Sequence, residues 1–161
     1  MAAVRLPGEV QSYALSQRDD LGSRCNGHYG TLEDREEVRA LHARFCLTID
    51  SGRYEEWIDC FTEDGVFESP LFGQHSGHDD LKRFATLYRE SLGGAQSLHV
   101  VANPAFELDG DSGKGTAYLL YYHCKDGRVQ QSTAGYYTDW LRKTPAGWRF
   151  ARRHVTILGH H

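Results

Sequence analysis

Apolar and polar positions change rhythm twice along the chain. From Thr31, the residues Val38, Leu41, Phe45 and Ile49 fall at the three- and four-residue spacing of one helical face. Thr31-Leu-Glu-Asp34 forms a capping box with Asp in place of the usual Glu, and acidic residues fill the first turn, so a helix is predicted over Thr31–Asp50. Ser51-Gly52 breaks it, and Tyr54–Phe61 predicts a shorter helix that buries Trp57, Ile58 and Phe61. Asp64-Gly65 reads as a turn, Val66–Ser69 as a short strand before Pro70, and Phe72–His78 as a loop rich in Gly and His. A third helix begins at Asp79-Asp80, carries Leu81, Phe84, Leu87, Tyr88 and Leu92 as its apolar stripe, and stops at Gly93-Gly94.

From Ser97 onward the period is two. Ser97–Glu107, Gly115–Cys124, Val129–Leu141 and Trp148–Ile157 predict strands joined by short Gly-containing turns, which makes an antiparallel meander. Helices first and strands afterwards define an α+β domain, with the helices packed on one face of a curved sheet. Residues 1–30 lack sustained periodicity and read as an N-terminal extension with a helical turn around Val10–Leu15; the domain itself spans 31–158.

Strand alternation sorts the side chains into two faces. One holds His99, Val101, Asn103, Ala117, Leu119, Tyr121, His123, Thr133, Gly135, Tyr137, Ala151, Arg153, Val155 and Ile157. The other holds Leu98, Val100, Ala102, Tyr118, Leu120, Tyr122, Ala134, Tyr136, Trp148 and Phe150. The second set is smoothly apolar and aromatic, as suits contact with another subunit. The first mixes apolar walls with His, Tyr and Arg, as suits a ligand cavity. Periodicity does not say which face covers the helices; composition favours the first as the pocket.

Composition narrows the classes. The chain has 161 residues, 40% of them hydrophobic and 25% charged, which fits one folded domain rather than disorder. A net charge of −4 argues against a nucleic-acid partner, and no apolar run is long enough for a membrane span. The four Cys have no CxxC spacing and read as reduced thiols; with no leader pattern at the N-terminus, the expected location is cytoplasmic. His75-Ser-Gly-His78 sits in a Gly-containing loop without an evident third ligand, and Gly159-His-His161 is short and terminal, so no metal is expected. No Walker, GxSxG or dinucleotide fingerprint is present, and no cofactor is expected.

Asp50 ends the first predicted helix and His99 lies between Leu98 and Val100 on a strand. Singly, they read as a solvated turn carboxylate and a core histidine. Together they suggest a carboxylate–imidazole pair, in which Asp fixes the tautomer and the other ring nitrogen accepts a proton. Arg153, on the same inferred face, suits a developing anion or a leaving group, although it also belongs to the basic run Arg149–Arg153.

The segments Ile49-Asp50-Ser-Gly-Arg-Tyr-Glu-Glu-Trp57, Phe61-Thr-Glu-Asp-Gly-Val-Phe67, His99-x-x-x-Asn103 and Gly135-Tyr-Tyr-Thr-Asp139, with Gly147-Trp-Arg-Phe and Arg153, resemble the SnoaL-like branch of the nuclear-transport-factor-2-like superfamily. The likeness runs from about Thr31 to Ile157. It implies a cone-shaped α+β barrel, three helices packed in a strongly bent antiparallel sheet, with the pocket inside and a homodimer or homotrimer built through the outer sheet face. Several members of this branch, among them scytalone dehydratase, hexachlorocyclohexane dehydrochlorinase and bile-acid 7α-dehydratase, are cofactor-free lyases. By that resemblance Asp50 and His99 form the catalytic dyad, Arg153 assists the leaving group, and His123 falls near a second catalytic His. Two departures prevent transfer of any one substrate. Phe45 stands where the dehydrochlorinase pattern has a Lys, and Gly52-Arg53 where the scytalone dehydratase pattern has Tyr-Asp.

The expected protein is a lyase or isomerase of dehydratase or cyclase type, acting on a hydrophobic small molecule of secondary metabolism. Trp57, Phe61, Phe72, Leu119, Tyr121 and Tyr137 are the expected substrate-binding residues. Asp50–Pro70 also resembles the β subunits of aromatic-ring-hydroxylating dioxygenases, which would make the chain a structural partner; a non-catalytic ligand binder is the third alternative.

Overall fold

The computed structural model describes residues 30–159. The N-terminal extension, with Val10–Leu15 and Cys25, and the terminal pair His160-His161 lie outside the described residues.

Helix α1 spans Leu32–Asp50. Its capping box forms as its sequence dictates: the Asp34 amide donates to Thr31 Oγ1 at 3.0 Å, and the Thr31 amide donates to Asp34 Oδ2 at 3.1 Å. Asp34 also accepts from Trp148 Nε1 at 2.8 Å and from Lys143 Nζ at 2.7 Å, so the cap fastens the helix to the far end of the sheet. The buried face carries Val38, Leu41, His42, Phe45, Cys46, Thr48 and Ile49. Helix α2 is Tyr54–Ile58 and helix α3 is His78–Ser91, whose buried residues are Leu81, Phe84, Ala85 and Tyr88. Leu87, placed on that stripe by spacing, is exposed.

The strands are β1 (Phe61–Ser69), β2 (Gly73–Ser76), β3 (Gln96–Asp109), β4 (Ser112–Lys125), β5 (Arg128–Thr144) and β6 (Gly147–Ile157). They form one mixed sheet in the order β2-β1-β6-β5-β4-β3, which curls round the helices without closing. The predicted meander is β3 to β6. Three predictions in the first half change. Phe61 is not the end of a helix but the start of β1, because it pairs in parallel with Phe150 of β6, and that long-range pairing overrides the local helical spacing. Asp64-Gly65 is an irregularity within β1 rather than a turn, and a Cβ on Gly65 would come within 2.8 Å of Phe61 Cβ and Thr62 O. The predicted loop Phe72–His78 contains β2, an antiparallel partner of β1.

Three bulges re-phase the alternation. In β3 the pairing shifts between Ala102 and Ala105, where Asn103 takes φ 52°. In β5, Ser132 is the extra residue between Thr133 and Gln131; in β6, Ala151 is the extra residue between Phe150 and Arg152. Each extra residue exchanges the faces of everything beyond it. Trp148 and Phe150, assigned by simple alternation to the outer face, are therefore in the core at 1% and 0% exposure. Asn103 turns out to be exposed, while Phe106 and Leu108 beyond it point inward to the core. At the centre, the Phe45 ring meets those of Trp57, Phe61, Phe67, Tyr137 and Phe150.

Candidate active site

The last turn of α1 meets β3 and β4 at Asp50. Asp50 Oδ1 accepts from Ser97 Oγ at 2.8 Å and lies 2.6 Å from His99 Nδ1, while Oδ2 accepts from the His99 amide at 2.7 Å. Burial alone would raise the Asp50 carboxyl, but the bonds from His99 and Ser97 outweigh it and hold the group below its usual range. An ionised carboxylate only accepts, so the proton of this contact sits on Nδ1 and Nε2 is left as the proton acceptor. The His99 and Asp50 side chains are 11% and 15% exposed, shielded from bulk water yet within reach of a ligand.

Directly across the β3–β4 pairing, His99 faces Tyr121, their rings 4.7 Å apart. The Tyr121 hydroxyl lies 2.9 Å from His123 Nε2 and 3.3 Å from the hydroxyl of Tyr88 on α3. Burial raises both phenols above their ordinary value, Tyr88 most strongly, so both stay protonated near neutrality. Asp50, His99, Tyr121 and His123 of the predicted set are thus brought into one continuous group. Ser97 and Tyr88 join it as well, although spacing marks Ser97 only as a strand start and Tyr88 only as part of a helix stripe. The available signal was the position of Ser97 two residues before His99, on the same strand face.

Arg153 is placed in a different environment. It is fully buried, with Nε 2.7 Å and Nη2 2.8 Å from the two Asp139 oxygens, and Nη2 2.8 Å from His42 Nδ1. Its guanidinium carbon lies 3.9 to 4.4 Å from the ring centroids of Phe150, Tyr137 and Phe45. Burial would lower the Arg153 pKa, but Asp139 more than offsets this and holds it above its ordinary value. Burial, with the neighbouring Arg153 charge, pushes His42 down to about 4. Asp139 and His42 were missed because neither lies near Arg153 in sequence; Asp139 stands opposite Arg153 in the β5–β6 register.

Among the expected substrate-binding residues, Tyr121 and Phe72 are partly buried and pack at the edge of the core. Trp57, Phe61, Leu119 and Tyr137 lie within the core, at 0 to 4% exposure. The two histidines of the Gly-containing segment diverge: His75 sits between Asp80 and the Phe72 carbonyl, and His78 contacts the Phe61 carbonyl. Among the described residues no group of three or more His, Cys, Asp or Glu is placed to hold a metal ion, and no helix is long and apolar enough to cross a membrane. Surface cavities of about 640 Å³, beside Phe61, His78 and Arg149, and about 390 Å³, beside Glu68, Gln74 and His154, lie apart from the dyad.

A helix-filled, curled sheet with a carboxylate–imidazole pair inside defines the class, and sequence comparison agrees with it. The family model described as SnoaL-like domain matches residues 30–154, and the chain belongs to that family. No match is found among curated proteins. Among solved structures, the chain is similar to an NTF2-like protein with a cystatin-like fold from Novosphingobium aromaticivorans, with 27% identity over 81% of this chain and 85% of that one and a TM-score of 0.74. It is also similar to a candidate aromatic ring hydroxylase from the same organism, with 25% identity, coverage of 81% and 93%, and a TM-score of 0.69. ActVI-ORFA from Streptomyces coelicolor shares the fold at 18% identity, with coverage of 79% and 96% and a TM-score of 0.70.

Proposed function

We propose that this SnoaL-like domain is a cofactor-independent lyase or isomerase, cytoplasmic and acting on a hydrophobic, oxygenated small molecule of secondary metabolism. The observation that carries this reading is the Asp50–His99 pair, with Nδ1 committed to a carboxylate at 2.6 Å. His99 Nε2 removes a proton next to a carbonyl; Asp50 fixes the tautomer and stabilises the imidazolium that results. Ser97 holds the second lobe of the Asp50 oxygen, so the pair keeps its geometry while it turns over. Phe72 and Tyr121 contact the substrate at the edge of the core, above a floor of Leu119, Trp57, Phe61 and Tyr137. Arg153 contributes from beneath that floor as a fixed positive charge, its ion pair with Asp139 holding it in place rather than handing it to the substrate. The domain occupies residues 31–158 and assembles as a homodimer or homotrimer through the outer sheet face.

The test is proton exchange in D2O, followed by NMR over a panel of hydrophobic ketones, hydroxy ketones and enones. The native protein exchanges the α-proton of at least one compound, and His99→Ala or Asp50→Asn slows it by about 10²- to 10⁴-fold, the range of a positioned general base. Undiminished exchange by folded His99→Ala protein overturns the reading. The likeness to the candidate aromatic ring hydroxylase favours a second one, a structural partner of a ring-hydroxylating system. Stoichiometric recovery of an iron–sulfur protein with the tagged chain would support it.

A further inference from the structure

We propose that His75 is a latch on the wall of the site: as an imidazolium it ties the Phe72 carbonyl to Asp80 and holds the Phe72 ring in place, and on losing its proton it lets that wall go. The inference rests on the reading of Phe72 as a wall of the proposed site and adds a means of regulating access to it.

Strand β2 has four residues, and His75 is the one that turns inward. It is 8% exposed, its ring lying against Phe84 of α3 with the centroids 5.3 Å apart. Nδ1 is 3.3 Å from Asp80 Oδ1, and Nε2 is 3.1 Å from the Phe72 carbonyl oxygen. A carbonyl oxygen only accepts, and so does an ionised carboxylate. Asp80 is ionised: the Ser76 amide, which donates to Oδ2 at 2.9 Å, and then His75 and Arg83 hold its carboxyl below the usual range against the effect of burial. Both contacts are hydrogen bonds only when both ring nitrogens carry hydrogen, which is the imidazolium. A neutral ring has one N–H, so one of the two oxygens then faces a lone pair and that contact breaks.

The charged groups around the ring are arranged for this. From α3, Asp80 meets it, and Arg83 stands behind with Nε 3.1 Å from Asp80 Oδ1. Asp79 and Lys82 of the same helix are exposed, Lys82 paired with Glu55, and His78 turns to the Phe61 carbonyl. From β1, the residue opposite His75 is Phe67, while Glu68 lies on the other face of the sheet with Arg152 and His154.

What the latch holds is otherwise lightly fastened. The turn between β1 and β2 has two bonds of 3.3 Å, from the Leu71 amide to Ser69 Oγ and from the Phe72 amide to the Ser69 carbonyl. Gly73 begins β2 at φ 78° with open space where a Cβ would stand, so the turn has a pliant foot. The Phe72 ring packs edge-on against Phe84 and Tyr88, and the Tyr88 hydroxyl reaches Tyr121 in the site. Freeing the Phe72 carbonyl therefore loosens the ring that closes this side.

The experiment is amide hydrogen exchange of the full chain by mass spectrometry, at about pH 6 and about pH 8.5, on either side of the range where imidazoles change charge. Rates are corrected for the intrinsic effect of pH, with α1 as internal reference. In the native protein, residues 69–76 lose about tenfold in protection at the higher pH, the worth of one hydrogen bond, while α1 does not. His75→Gln, which cannot donate to both oxygens, exchanges rapidly at both pH values. Asp80→Asn stays protected at both, because its amide donates to Nδ1 of the neutral ring while Nε2–H still donates to Phe72. Equal native protection at the two pH values, or a native-like loss in Asp80→Asn, overturns the latch. For any compound of the ketone panel that the native protein exchanges, His75→Gln raises KM about fivefold or more with kcat nearly unchanged. An unchanged KM overturns the link between latch and site. A native protein inert on the whole panel overturns the proposed function, and the latch is still decided by hydrogen exchange, which needs no substrate.

Discussion

A guanidinium cut off from water needs its charge answered within the protein, and Arg153 has Asp139 for that purpose, with His42 sharing Nη2. This makes His42 a neutral imidazole by construction, since a protonated ring would place a second cation beside Arg153. The pH consequence follows in sign. An unfolded His binds its proton at its ordinary value of 6.5, and the folded one only at about 4. Stability is therefore complete above about 6.5 and falls as the pH drops from there toward 4, by roughly 3 kcal/mol over the window. Urea unfolding at a series of pH values measures it, and His42→Gln, which keeps an acceptor for Arg153, flattens the slope. At this scale the sequence was legible for Asp50 and His99, a carboxylate at a helix end and an imidazole on the inner face of a strand, which the structure brings to 2.6 Å. It was opaque for Arg153, whose role depends on the buried Asp139 and His42 that only the strand register and the helix docking supply.

Elements were legible in kind and less so in phase. The helix of Thr31–Asp50 could be read because its cap, its acidic first turn and its stripe all agree, and removing the cap has a predictable cost. Thr31→Ala should lower stability by about 1 kcal/mol, visible as a decrease in the thermal midpoint with the site's proton exchange unchanged. Strand phase was harder, because an extra residue carries no compositional mark of its own. Ala151 looks like any strand alanine, yet it returns Arg153 and Val155 to the inside after Trp148 and Phe150. Asn103 before Pro104 left a faint trace, since Asn tolerates the left-handed backbone found there. Deleting Ala151 should remove the bulge and leave a regular β5–β6 ladder with Arg152 still outside and Arg153 still inside, so that cooperative unfolding by circular dichroism is kept.

The molecule as a whole shows water a broad outer sheet face on which Leu98 is 46%, Val100 38% and Tyr118 42% exposed. Such a surface on β3 and β4 fits the proposed assembly of identical subunits. Light scattering should give a dimer or trimer, and the pair Leu98→Glu with Tyr118→Glu should give a monomer that retains its fold. The overall architecture was legible from the order of helices and strands. The course of the first strand was not, because its main partner is the last one. That partnership governs how the chain reaches its shape. Glu68 of β1 and Arg152 of β6 meet across 84 positions, whereas β3 to β6 are hairpin neighbours that find one another locally. During synthesis the early aromatic residues Phe45 and Phe61 therefore lack their Phe150 partner until β6 has emerged. β6 is thus the keystone of the sheet, made well after the residues it covers, and folding is a race between its arrival and aggregation.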